Sequence, residues 1–162
     1  MKIKVLLKNK ILRNMLSALA IAFFGLILLN LTFIFDALYQ GVVRGFIGLF
    51  IPLGPELRLY WFPPLMHFSF VVIIGIISWF VFRSKLKVLY KAIFMTVPVA
   101  VILATVGIFL YQWQIAVYSV GALLCAGTLY LFYRTKQPWL YYYAVCLVSI
   151  TMAIFMMTGG EI

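Results

Sequence analysis

The chain has 162 residues, 67% of them apolar, with a mean hydropathy of +1.16. Water-soluble domains run at about 45–50% apolar, and a domain this small cannot hide the excess, so lipid must be the solvent for much of its surface. Thirteen Lys and Arg against three acidic residues give a formal charge of +10. In a soluble protein that balance would suggest nucleic acid. Here the cations flank apolar segments, so the expected partner is the lipid bilayer, with anionic headgroups at its inner face, and not nucleic acid.

Residues 1–14 mix Lys2, Lys4, Lys8, Lys10 and Arg13 with Ile3, Val5, Leu6, Leu7, Ile11 and Leu12. They are expected to lie on the inner surface before the chain turns in. The first crossing is predicted over 15–35. At 1.5 Å per residue this segment spans the hydrocarbon layer of about 30 Å. It outruns the ~7–15 apolar residues of a secretory signal, so an uncleaved helix is expected. Asp36 is taken to end this helix.

Residues 37–51 are apolar but interrupted by Gln40, Gly41, Arg44, Gly45 and Gly48. Arg44 at the centre of a span would cost ~2.5–3.5 kcal/mol on the insertion scale, so an interfacial or re-entrant helix on the outer face is predicted. Pro52, Gly54 and Pro55 close it. Pro63 and Pro64 open the second crossing, 64–82, where proline loses no intrahelical hydrogen bond. The remaining crossings are predicted at 92–111 (with Pro98 inside and a kink expected there), 115–133 and 139–157. The fold class is therefore all-α: one transmembrane domain, a five-helix bundle with an outer interfacial helix.

The cations set the threading. Eleven of the thirteen lie before the first crossing (Lys2, Lys4, Lys8, Lys10, Arg13), between the second and third (Arg83, Lys85, Lys87, Lys91) and between the fourth and fifth (Arg134, Lys136). Asp36, Glu56 and Glu161 fall in the other connections, with Arg44 and Arg58. The positive-inside rule predicts a cell-membrane protein with its N-terminus inside and its C-terminus outside.

The candidate ligand site is the outer connection, which holds Asp36, Arg44, Glu56, Arg58 and His67. An ionisable group at membrane depth, such as His67, is a functional candidate. It can equally be a histidine satisfied by a backbone carbonyl, by Asp36 or by Glu56. Ala122 and Ala126 on the fourth crossing have small-xxx-small spacing, expected to serve packing within the bundle. Tyr130, Tyr133, Trp139, Tyr141, Tyr142 and Tyr143 read as an interfacial girdle. Cys125 and Cys146 lack a CxxC neighbour, and one His cannot complete a zinc site. No hydrolase, Walker or intramembrane protease motif is present, and the sequence calls for no cofactor.

Trp61-Phe62-Pro63-Pro64 resembles the tryptophan-proline signature that opens the second helix of the tryptophan-rich sensory (translocator) proteins. Those five-helix proteins bind porphyrins and other flat apolar ligands in their bundle. Residues 92–111 lack that family's Trp and Asn residues, and the resemblance carries no site to this chain.

Three functions fit this reading. One is a non-catalytic subunit or accessory factor that packs against a larger membrane protein partner. Another is a binder or carrier of an apolar or lipid-like ligand at the outer face. The third is a small lipid-modifying enzyme using His67 with Asp36 or Glu56.

Overall fold

Apolar residues cover every side of the long segments rather than a single stripe, the pattern of helices solvated by lipid. The computed structural model describes residues 10–50 and 62–157. Among them are five helices, α1 (Lys10–Phe50), α2 (Phe62–Arg83), α3 (Val88–Leu110), α4 (Gln114–Arg134) and α5 (Trp139–Met157), and no strand. All five are long and apolar enough to cross a membrane. The chain is a multi-pass, all-α membrane bundle. Large side chains such as Leu31, Phe80, Leu123 and Ile150 lie more than half exposed on its outside.

α3 is the central helix and touches the other four. Its sequence explains why. Ala92, Thr96, Ala100 and Ala104 recur every four residues and are all buried, so neighbouring backbones can come close on that face. α1 answers with Ile21, Gly25 and Leu29. A Cβ on Gly25 would sit 2.7 Å from Thr96 Cγ2, and the Thr96 hydroxyl lies 3.3 Å from the Gly25 carbonyl. α5 supplies Tyr141, Ala144, Val148 and Met152.

The core forms two layers along these three parallel helices. Ile21, Ala92, Ile93, Tyr141 and Ala144 make the layer nearer the start of each helix. Leu29, Ala100, Ala104, Val148 and Met152 make the next. α2 runs antiparallel beside them, with Phe70 and Ile74 against Val97 and Val101. The beginnings of α1, α3 and α5 and the ends of α2 and α4 therefore share one end of the bundle. That end carries Lys10, Arg13, Arg83, Lys85, Lys87, Lys91, Arg134 and Lys136.

Several details of the basic end are local. Lys91 Nζ donates to the Phe82 carbonyl at 2.6 Å, closing the α2–α3 turn. The Arg83 guanidinium lies 4.9 Å over the Trp79 ring, a cation–π contact. α4 ends in a Schellman turn: Gln137 N–H donates to Phe132 O at 3.0 Å and Lys136 N–H to Tyr133 O at 3.2 Å. Lys136 adopts φ 50°, the left-handed conformation this turn requires. Tyr130, Tyr133 and Trp139 are exposed as a girdle demands, whereas Tyr141 turns inward and is 8% exposed.

Two expectations need correction. Asp36 does not end the first helix, since α1 is unbroken from Lys10 to Phe50. Residues 37–50 are helical as expected, but they continue α1 instead of forming a separate element; Ile51 lies outside the described residues. The interior penalty of Asp, about 0.7 kcal/mol or less, is small beside the buried contact its carboxylate makes with His67. The fourth crossing also differs. Ala122 and Ala126 are exposed, and Val117 is the one buried residue of α4. Close packing belongs to the small residues of α3 instead. Residues 1–9, most of the predicted surface segment, lie outside the described residues.

Candidate functional site

The site is built where three helix faces converge, away from the basic end. α2 buries Met66, His67, Phe70, Ile74 and Ser78, a spacing of three and four that turns one stripe inward. His67 lies on that stripe about one turn past Pro64. On α1, Asp36 follows Leu29 by seven residues, two turns along the same buried face. On α3, Thr105 follows Val101 by one turn. Asp36 is 8% and His67 3% exposed.

His67 is held from both sides. Its Nδ1 lies 3.1 Å from Asp36 Oδ2 and its Nε2 3.0 Å from Thr105 Oγ1. The Thr105 hydroxyl also lies 2.6 Å from the Val101 carbonyl. This last distance assigns the protons. A hydroxyl has one proton, and a carbonyl oxygen only accepts. At 2.6 Å two facing acceptors would repel, so Thr105 donates to Val101 and can only accept from His67. Nε2 therefore carries a proton.

One further proton lies in the Asp36–His67 bond. On Nδ1 it makes an imidazolium–carboxylate pair, and on Oδ2 a neutral imidazole–carboxylic acid pair. In both cases the net charge is zero, which is what permits burial. Asp36 Oδ1 is buried and has no hydrogen-bond partner among the described residues. Beside the triad, Tyr39 OH donates to Ser69 Oγ at 2.8 Å, because the single Ser69 proton goes to Met66 O at 2.6 Å. Phe70 packs under both, with ring centres 6.4 Å from His67 and 5.9 Å from Tyr39.

Of the five residues nominated from sequence, the structure joins Asp36 and His67. Arg44 is exposed on α1, eight residues further on; that is about 12 Å along the helix axis. Glu56 and Arg58 lie outside the described residues. Asp36 was assigned to a loop, and no carboxylate was expected within a crossing helix; its burial inside α1 revises that. Thr105, Tyr39 and Ser69 were missed. The available signal was that polar groups in a lipid-solvated helix tend to face the bundle, which applies to each of them.

The arrangement binds three helices together and disfavours nucleophilic chemistry. Activating the Thr105 hydroxyl would require an unprotonated Nε2 to receive its proton. The Val101 carbonyl holds that proton in the opposite direction. No family model, curated protein or solved structure matches the chain.

Proposed function

We propose that the protein is a non-catalytic subunit or accessory factor that works by packing against a larger protein of the cell membrane, with its basic end in the cytoplasm. The observation that carries this reading is the overhang of α1. Its 41 residues make a helix of about 60 Å, against a bilayer of ~40–45 Å including headgroups. Its burial in the bundle stops near Asp36. Beyond Tyr39, Val42 is 71%, Phe46 63%, Leu49 80% and Phe50 73% exposed. A tilt within the usual 0–40° shortens the projection but leaves this end at or past the headgroups. Apolar side chains there gain ~1.5–3 kcal/mol each from being covered. A helix or groove of a partner protein, meeting α1 at the outer membrane level, supplies that cover.

The proton assignment at His67 supports the same reading, because it makes the triad a brace rather than an acid–base centre. The test is to extract the protein with its native lipid in polymer-bounded discs and weigh the particles. A discrete membrane protein in fixed stoichiometry is expected. It should be lost from a Val42→Asp/Phe46→Asp variant that still folds. Discs containing this chain alone would overturn the proposal.

A further inference from the structure

α4 is the least buried helix, and between it, α3 and α5 lies a cleft of about 340 Å³. That volume falls at the lower end of the ~300–1,000 Å³ range of ligand pockets. Small side chains make the space: Gly121 and Ala122 leave it open on α4, while Leu103 and Met152 form walls. The cleft extends from Val117, one turn into α4, to Cys125, near the helix middle. It opens sideways, past the exposed Tyr118 and Ala122.

The thiol and hydroxyl on its inner wall, Cys125 and Ser149, are already satisfied. Ser149 donates to the Val145 carbonyl at 2.8 Å, so the Cys125 thiol donates to Ser149 Oγ at 2.9 Å. Apart from the hydroxyl of Tyr118, a side chain that is 45% exposed, the described lining offers an occupant no free polar group, so the part held inside must be hydrocarbon.

A second, open cleft lies at the same end of the bundle. It is formed by the α3–α4 turn and lined by Tyr111, Gln112, Trp113, Gln114, Ile115 and Ala116. Ala116 lines the turn cleft and Val117 the apolar one, so both lie at the start of α4. Tyr111 and Trp113 are 70% and 71% exposed, and Gln112 Nε2 donates to Tyr111 OH at 2.9 Å. No charged side chain lies between Lys91 and Arg134, and both of those belong to the basic end. Amides and a phenol pair with hydroxyls, and aromatic rings cover the apolar face of a sugar or glycerol. Among the described residues, the turn itself offers an anionic headgroup no cation.

The geometry points to a lipid site in the half of the bundle opposite the basic end. One acyl chain lies in the α3/α4/α5 cleft, and an uncharged, hydroxyl-bearing glycerolipid headgroup rests on the Tyr111–Gln114 turn. Native mass spectrometry of the delipidated full chain in detergent tests it, with monoglucosyl-dioleoylglycerol and dioleoyl-phosphatidylglycerol offered in equal amounts. One bound glycolipid, preferred about tenfold, is expected. Ala122→Phe fills the cleft and should lower that binding about tenfold. Gly127→Phe, at a position with nothing within 4 Å of a Cβ, should leave it unchanged. Gln112→Ala/Gln114→Ala should remove the preference between the two lipids while retaining the chain; this variant lies in an exposed turn and decides the matter if Ala122→Phe fails to fold. Equal or stronger binding of phosphatidylglycerol by the wild type, unaltered glycolipid binding in Ala122→Phe, or equal loss in Gly127→Phe would each overturn the site.

Discussion

Replacing His67 by Leu should destabilise the bundle far more than replacing Asp36 and His67 together. The single change removes the partner of Asp36 Oδ2, and among the described residues the other carboxylate oxygen already has none. It also removes the donor to Thr105 Oγ1. Breaking a buried pair from one side costs ~3–5 kcal/mol, while a neutral buried acceptor left alone costs ~1–3 kcal/mol. A stranded carboxylate can take up a proton and so move from the first case to the second. The expected cost of His67→Leu is therefore about 3 kcal/mol, with a similar value for Asp36→Leu. In the double variant no charge is stranded, and apolar replacements of a buried pair are often close to neutral. With single costs of about 3 kcal/mol each and a double cost of about 1 kcal/mol, left by the unpaired Thr105 acceptor, a coupling of about 5 kcal/mol should appear in the double-mutant cycle. The assay is reversible unfolding in mixed micelles at increasing dodecyl sulfate, followed by circular dichroism. Additive single costs, with coupling below about 0.5 kcal/mol, would refute the argument that the pair braces α1 against α2.

Other consequences follow from single positions. Gly25→Ala places a Cβ against Thr96, which is 1% exposed and bonded to two carbonyls, and should cost ~1–3 kcal/mol in the same unfolding assay. Gly75→Ala, with nothing within 4 Å, should instead be neutral or gain up to about 1 kcal/mol from helix propensity. Lys136→Gly relieves a left-handed strain of ~1–2 kcal/mol and adds ~0.5–1 kcal/mol of chain entropy to overcome; a net gain of about 0.5–1 kcal/mol should raise the midpoint. For threading, a C-terminal alkaline phosphatase fusion should be active and a C-terminal fluorescent fusion dark; the reverse pattern would contradict the orientation drawn from the basic residues.

Where the chain carries punctuation, the sequence was informative. The fifth helix runs over 139–157 as expected because Arg134, Lys136 and Pro138 mark its start, and the fourth differs by one residue at each end. Helix faces were not legible, because every crossing is apolar all round and periodicity marks no inward side. That is why Ala122 and Ala126 were read as packing residues while Ala92, Thr96, Ala100 and Ala104 went unnoticed. Asp36 looked like a helix end because its local preference is for caps and turns; only the fold supplies His67 as a partner 31 positions away. Thr105 is a single hydroxyl in an apolar run, and nothing local distinguishes it from Thr96 or Thr128. Of the nominated cluster, the Asp36–His67 pairing was among the alternatives, and Arg44 stands apart because the helix that carries it leaves the bundle.

The most direct measurement of the proposed role is site-specific photocrosslinking in cells, with a photoreactive phenylalanine analogue in place of Phe46. Phe46 is 63% exposed and packs its ring on Phe50, with centres 5.2 Å apart. A partner protein on this face should yield one discrete protein adduct, and Val42→Asp should abolish it while leaving the amount of inserted protein unchanged. Adducts to lipid alone, or a protein adduct indifferent to Val42→Asp, would contradict the account.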